Sequence, residues 1–115
     1  MKDALIAARN NYYEKRMVYK KVRSIVYDKK TIVDKIISVV DSMIEMIDST
    51  DSPKKAELNQ MIINLLECSS SLIDESIGAL LNSDSFVEYQ NKLNKISAFV
   101  SPIVCTVNLI YDYAV

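Results

Sequence analysis

Acidic pairs are the first residues in this sequence that could carry out chemistry. Asp74 and Glu75 are adjacent, and Asp41, Glu45 and Asp48 follow one another at spacings of four and three residues, which places them on one side of a helix. Paired carboxylates serve acid–base catalysis, and a helical dimetal site needs them to face inward or to alternate with histidine. The inner positions of these segments are aliphatic. We therefore interpret the acids as a solvated surface.

Several catalytic systems are excluded by composition. The chain has no histidine and one glycine, so it cannot form a Ser-His-Asp or Cys-His system, an H-E-x-x-H zinc helix or a glycine-rich phosphate loop. Cys68 and Cys105 have apolar neighbours, which predicts buried free thiols in a reducing compartment, with a core disulfide as the alternative in an exported chain. We predict a cytoplasmic, non-enzymatic protein without a cofactor or metal.

The segment YEKRMVYKKVRSIVYDKK, residues 13–30, is the most unusual stretch of the chain. It contains three tyrosines, seven Lys/Arg and two acids. Residues 1–35 carry ten Lys/Arg against four Asp/Glu, whereas residues 36–115 carry four against eleven, although the net charge is only −1. Such a segment is typical either of a surface for a polyanion or of a helix edge that pairs with an acidic helix.

The fold class follows from the scarcity of turn-forming residues. The 115 residues include one glycine and two prolines, and 50% are hydrophobic against 25% charged. This length suits one domain, residues 1–115, with a single core. Because so few residues favour tight turns, we predict an all-α protein built from long helices.

A heptad pattern defines the first helix. Apolar or aromatic residues recur every seven positions on two inner series, interrupted by Lys15 and Lys29. The pattern passes through residues 29–31 without a slip, so we predict one continuous helix from Asp3 to Asp48. The alternative is a break in which Thr31 caps a new helix and Asp34, three residues later, completes a capping box.

Two further helix starts have local signals. Ser52 as N-cap and Pro53 as first helical residue begin a second helix that extends to about Leu81. Ser85 and Glu88 form an S-x-x-E capping box that begins the third.

Pro102 either bends the third helix or, with Ser101 as cap, begins a short fourth. The predicted fold is an antiparallel bundle of three long helices, the third kinked at Pro102, or of four helices if the first breaks near Thr31.

The C-terminal residues 96–111 contain no charge. A membrane-spanning helix needs about 20 predominantly apolar residues, and this stretch is shorter and includes Pro102 and Asn108. We interpret it as a buried helix and regard membrane association as the less favoured alternative.

A cationic ridge follows one edge of the first helix, formed by Arg9, Arg16, Arg23 and Lys30 at seven-residue intervals. The acids of the second predicted helix project away from its apolar face, and those at the start of the third reach only one end of the ridge. We therefore predict that part of the ridge lacks partners within the chain.

The predicted function is that of a small regulatory or adaptor module that binds a protein partner, with a second copy of the chain as one candidate. The contact residues would be Arg9, Tyr12, Tyr13, Arg16, Tyr19, Arg23 and Lys30. The alternative is a nucleic-acid-binding regulator that uses the basic, tyrosine-rich face of residues 9–30. A solvated face without any partner also remains open. The acidity of the whole chain and the inner positions of Tyr12 and Tyr19 favour the protein partner.

Overall fold

The computed structural model describes residues 2–49 and 55–114, and within them all regular structure is helical. The five helices are α1 (Lys2–Val26), α2 (Ile32–Asp48), α3 (Lys55–Leu81), α4 (Phe86–Lys95) and α5 (Ser97–Ala114). The predicted all-α helical bundle is confirmed. The predicted number of helices is wrong because the chain breaks twice where continuous helices were expected.

The first break separates α1 from α2. Thr31 caps α2: its hydroxyl accepts a hydrogen bond from the Val33 N–H at 3.2 Å, and the Asp34 carboxylate accepts one from the Thr31 N–H at 2.7 Å. A straight helix from Asp3 to Asp48 would be about 70 Å long, whereas the longest dimension of the molecule is 50 Å. The predicted continuity is therefore wrong, and the alternative capping box at Thr31 is confirmed.

Tyr27 holds the turn between α1 and α2 in place. Its ring stacks on Tyr89 at a centroid distance of 6.0 Å and meets Phe86 edge-on at 5.6 Å. Its hydroxyl donates to the Ser83 carbonyl at 3.3 Å. These contacts bring the end of α1, the end of α3 and the start of α4 to the same end of the bundle.

The central element is α3, which packs against each of the other four helices. Its predicted apolar face is buried except for Ile77, which is half-buried. Ser69 and Ser76 are also buried, and their hydroxyls donate to the carbonyls of Leu65 at 2.7 Å and Leu72 at 2.8 Å, so no polar cost arises there. The predicted end at Leu81 is confirmed, whereas the predicted start at residues 52–53 lies outside the described residues.

Ser85 caps α4 as predicted. Its hydroxyl accepts from the Glu88 N–H at 3.2 Å, and the Glu88 carboxylate accepts from the Asp84 N–H at 3.0 Å, one residue before the cap. This backbone hydrogen bond, followed by the neighbouring Lys92 ammonium, lowers the pKa of Glu88.

The second break lies at Ile96, where α4 and α5 meet at 62°. Pro102 sits inside a continuous α5, so the predicted helix start at Ser101 is wrong, and the predicted kink at Pro102 stays a prediction. A proline removes the N–H that would bond the carbonyl four residues earlier. That carbonyl belongs to Ala98, and because Ala98 and Pro102 are both exposed, water can replace the lost bond.

Candidate functional site

Three Arg–Asp ion pairs join α1 to α2. Arg23 pairs with Asp34 at 3.1 Å, Arg16 pairs with Asp41 at 2.7 Å, and Arg9 forms a two-pronged pair with Asp48. From one pair to the next, the arginine lies seven residues earlier in α1 and the aspartate seven residues later in α2. The two helices are therefore antiparallel, with a constant register. We call these three pairs the Arg–Asp ladder.

Two buried tyrosines contact the aspartates of the two ladder pairs nearest the turn. Tyr12 donates to Asp41 at 2.8 Å, and Tyr19 lies 3.2 Å from Asp34 and 2.9 Å from the Thr31 hydroxyl. Both tyrosines are 0% exposed. Desolvation is the main reason why the pKa of each phenol lies far above its usual range, and the bond to Asp41 adds to this for Tyr12.

The aspartates of the Arg–Asp ladder become more exposed with distance from the turn. The side chains of Arg23 and Asp34 are each 11% exposed, whereas Asp48, at the far end, is 53% exposed. Charges near the turn are therefore shielded from water and salt, while the outermost pair is screened by solvent. The inner end contributes most to fixing the position of α1 against α2.

Part of the cationic ridge was predicted to lack partners within the chain, but α2 neutralises Arg9, Arg16 and Arg23, so the prediction is wrong for these three residues. The acids that do so recur every seven residues, with the same spacing as the arginines, and this signal was present in the sequence. It was missed because a continuous helix from Asp3 to Asp48 would keep these acids too far from the arginines.

The other predicted contact residues differ in their burial and in their partners. Tyr12 and Tyr19 are buried and offer no contact area, and Tyr13 is half-buried with the Arg16 guanidinium 4.7 Å above its ring. Lys30 is exposed, and no ion pair of it occurs among the described residues. Lys15, which interrupts the inner heptad series, pairs with Asp74 of α3.

Three of the five carboxylates considered for catalysis, Asp41, Asp48 and Asp74, form ion pairs. Asp41 bonds Arg16 and Tyr12, which corrects its interpretation as a solvated acid, and Asp74 bonds Lys15. Within residues 2–49 and 55–114, no group of three or more His, Cys, Asp or Glu side chains is placed to hold a metal ion.

The outer face of α5 is an exposed surface that the sequence did not predict. Ile103, Val107 and Ile110 face the core as expected, but Val104 is 50% and Leu109 is 57% exposed. Phe99 and Tyr111 are also exposed, and no residue from 96 to 111 carries a charge. We call the exposed side of residues 98–111 the α5 outer face.

An apolar groove adjoins the α5 outer face. It has a volume of about 490 Å³ and runs between the start of α2, the end of α4 and α5. Ile32, Leu93, Val100 and Val104 form its apolar walls. Cys105 also lines it and is exposed, so the prediction of two buried thiols is wrong for Cys105, whereas Cys68 is half-buried and both thiols are free.

No protein-family model, curated protein or solved structure matches this chain. In the part of the chain that the structure describes, no single helix is long and apolar enough to cross a membrane, and only α4 and α5 together, across their 62° bend, have that length and composition.

Proposed function

We propose that this protein is a non-enzymatic interaction module that docks through the α5 outer face. The prediction of a protein-binding module is kept, but the proposed contact surface moves from α1 to α5. The Arg–Asp ladder uses the arginines that were expected to bind a partner, whereas nothing in the described chain covers Val104 and Leu109. A cytoplasmic location stays a prediction.

The single observation that supports this proposal is an exposed helix face that carries no charge between residues 98 and 111. A surface helix of a soluble domain normally places charged residues opposite its apolar stripe. In α5 the opposite side consists of uncharged residues up to Tyr111, with Val104 and Leu109 on its two flanks. Exposed apolar surface that is collected on one element is typical of a protein-binding site.

A second copy of the chain is the partner that we propose. A two-fold interface brings the same surface of each copy together, and like charges on that surface would repel. Residues 96–111 have none. Small residues also follow the middle of the face, namely Ala98, Ser101 and Cys105, so that two helices can approach closely.

One helix face is a small interface. At about 1.5 Å per residue, the 18-residue α5 is only about 27 Å long, so one of its faces can bury little area. Interfaces below about 1,200 Å² of total buried area are usually weak or transient. We therefore expect reversible, concentration-dependent dimerisation.

Sedimentation velocity over a concentration series tests the proposal. The wild type should shift from its monomer mass of 13.1 kDa toward twice that value as concentration rises. Leu109→Lys should remain monomeric because it places two charges of the same sign in the symmetric interface. Met17→Lys is the matched control, since Met17 is 64% exposed on α1 and should leave dimerisation unchanged. A wild type that stays monomeric at high micromolar concentration, or equal behaviour of the two variants, would contradict the proposal.

A further inference from the structure

A second groove lies between α1 and α2. Its volume is about 390 Å³, and it is lined by Lys20, Arg23, Lys30, Asp34, Lys35 and Ser38. The lysines come from three segments of the chain: α1, the turn and the first part of α2. We call this the lysine groove.

The lysine groove carries an uncompensated positive charge. Its one carboxylate, that of Asp34, already accepts hydrogen bonds from Arg23 Nε at 3.1 Å and from the Thr31 N–H at 2.7 Å. Lys20, Lys30 and Lys35 are exposed and form no ion pair within the described residues. Three lysine side chains therefore line one concave surface, and within the described residues none of them has an anionic partner.

The scaffold beneath these lysines is already fixed. The turn that carries Lys30 is held by the ring contacts of Tyr27, and the start of α2 is capped by Thr31. Arg23 is 11% exposed and bonds both Asp34 and the Tyr27 carbonyl, the latter at 3.4 Å. An anion would therefore need to order only lysine side chains, not the backbone, which lowers the entropic cost of binding.

We propose that the lysine groove binds a compact ligand through two or more phosphate groups. Lysine acts toward phosphate as a point charge, and several phosphates are needed to match three ammonium groups in so small a volume. A nucleic acid fits less well, because Tyr12 and Tyr19 are buried and, among the described residues, no aromatic ring lines the groove for a base to stack on. The ligand phosphates could belong to a free polyphosphate or to a phosphorylated inositol lipid.

Calorimetric titration with sodium tripolyphosphate, at about 50 mM salt, tests the site. The wild type should bind one equivalent, and Lys20→Glu/Lys35→Glu should weaken binding at least about tenfold, since a tenfold change corresponds to only 1.4 kcal/mol. The control Lys21→Glu/Lys95→Glu changes the net charge equally at two exposed lysines outside the groove and should weaken it less than about threefold. No binding by the wild type, or equal loss in both variants, would overturn the proposal.

Amide chemical shifts of the wild type give a test that needs no variant. Tripolyphosphate should shift the amides of residues 20–38 selectively. Shifts spread over all exposed lysines would mean diffuse attraction and would refute a defined site.

Vesicles distinguish the source of the phosphates. If the ligand is a lipid headgroup, phosphatidylcholine vesicles that contain a bisphosphorylated inositol lipid should retain the protein, and tripolyphosphate should compete with this binding. If the ligand is free polyphosphate, the same vesicles should not retain the protein. Either result supports the site when the groove variant weakens tripolyphosphate binding at least about tenfold. Equal retention by phosphatidylserine vesicles, or tighter binding of single-stranded DNA that the groove variant does not reduce, would overturn it. Leu109→Lys should bind tripolyphosphate like the wild type, so this proposal and the dimerisation proposal can fail independently.

Discussion

Arg23 and Asp34 face each other across the α1–α2 turn, with Nε 3.1 Å from Oδ1 and each side chain 11% exposed. The same carboxylate accepts the Thr31 N–H at 2.7 Å and so completes the cap of α2. One residue therefore ends the turn, begins a helix and binds the neighbouring helix. No other position in the Arg–Asp ladder combines these roles within the described residues.

Removing the Asp34 charge should destabilise the fold far more than removing that of Asp48. Asp34→Asn leaves a nearly buried guanidinium without its anion, which typically costs about 3 kcal/mol or more. Asp48→Asn breaks a pair whose acid is 53% exposed, at a cost below about 1 kcal/mol. Urea unfolding followed by circular dichroism measures both values. Equal losses in the two variants would show that the Arg–Asp ladder is not graded by burial.

Alkaline pH should unfold the protein through its buried tyrosines. Burial raises the pKa of Tyr12, Tyr19 and Tyr89 in the folded state, whereas the unfolded chain releases these protons near pH 10. The free energy of unfolding should thus be unaffected by these groups below about pH 10 and fall above it by about 1.4 kcal/mol per pH unit for each tyrosine.

Tyr12→Phe supplies the control for this pH dependence. It removes one of the three phenols. The free energy of unfolding should therefore fall less steeply above about pH 10, by the contribution of one tyrosine. Losing the hydrogen bond to Asp41 should cost about 1 kcal/mol at neutral pH. An unchanged alkaline slope in urea titrations would contradict the assignment of Tyr12.

Gly78→Ala should stabilise the protein. Gly78 lies inside α3, and an added Cβ would meet no heavy atom within 4 Å. Alanine favours the helix over glycine by about 1 kcal/mol. Ala7→Gly, at an exposed position of α1, should lower stability by a similar amount. A loss of stability in Gly78→Ala would mean that this part of α3 lies closer to another element than described.

Cys105 should react with a thiol reagent before Cys68 does. Cys105 is exposed on α5, whereas Cys68 is half-buried against the core. Dithionitrobenzoate should give a fast phase that Cys105→Ser removes and Cys68→Ser retains. The fast phase should also slow as protein concentration rises, because the proposed dimer covers Cys105. A fast phase that survives Cys105→Ser would contradict this placement.

Local signals predicted the helix starts better than the long-range pattern predicted continuity. Ser85 and Thr31 cap their helices through side-chain hydrogen bonds that the sequence already indicated. The heptad pattern could not distinguish a straight helix from one that folds back, because the same inner positions face the core in both. Charge complementarity decides between them, since arginines and aspartates of equal spacing can meet only if the chain reverses.

The α5 outer face shows a limit of reading burial from hydropathy alone. Residues 96–111 are uncharged, and this was interpreted as a buried helix. Only one side of α5 is buried, because α3 and α4 are the helices that pack closely on it.

The Arg–Asp ladder has a consequence for how the chain folds. Its pairs are 11, 25 and 39 residues apart along the chain, and the closest pair is also the least hydrated. Because closing a longer loop costs more entropy, the three ion pairs between α1 and α2 should form in order from the turn outward. Weakening the pair nearest the turn should then slow folding, whereas weakening the pair at the open end should mainly accelerate unfolding.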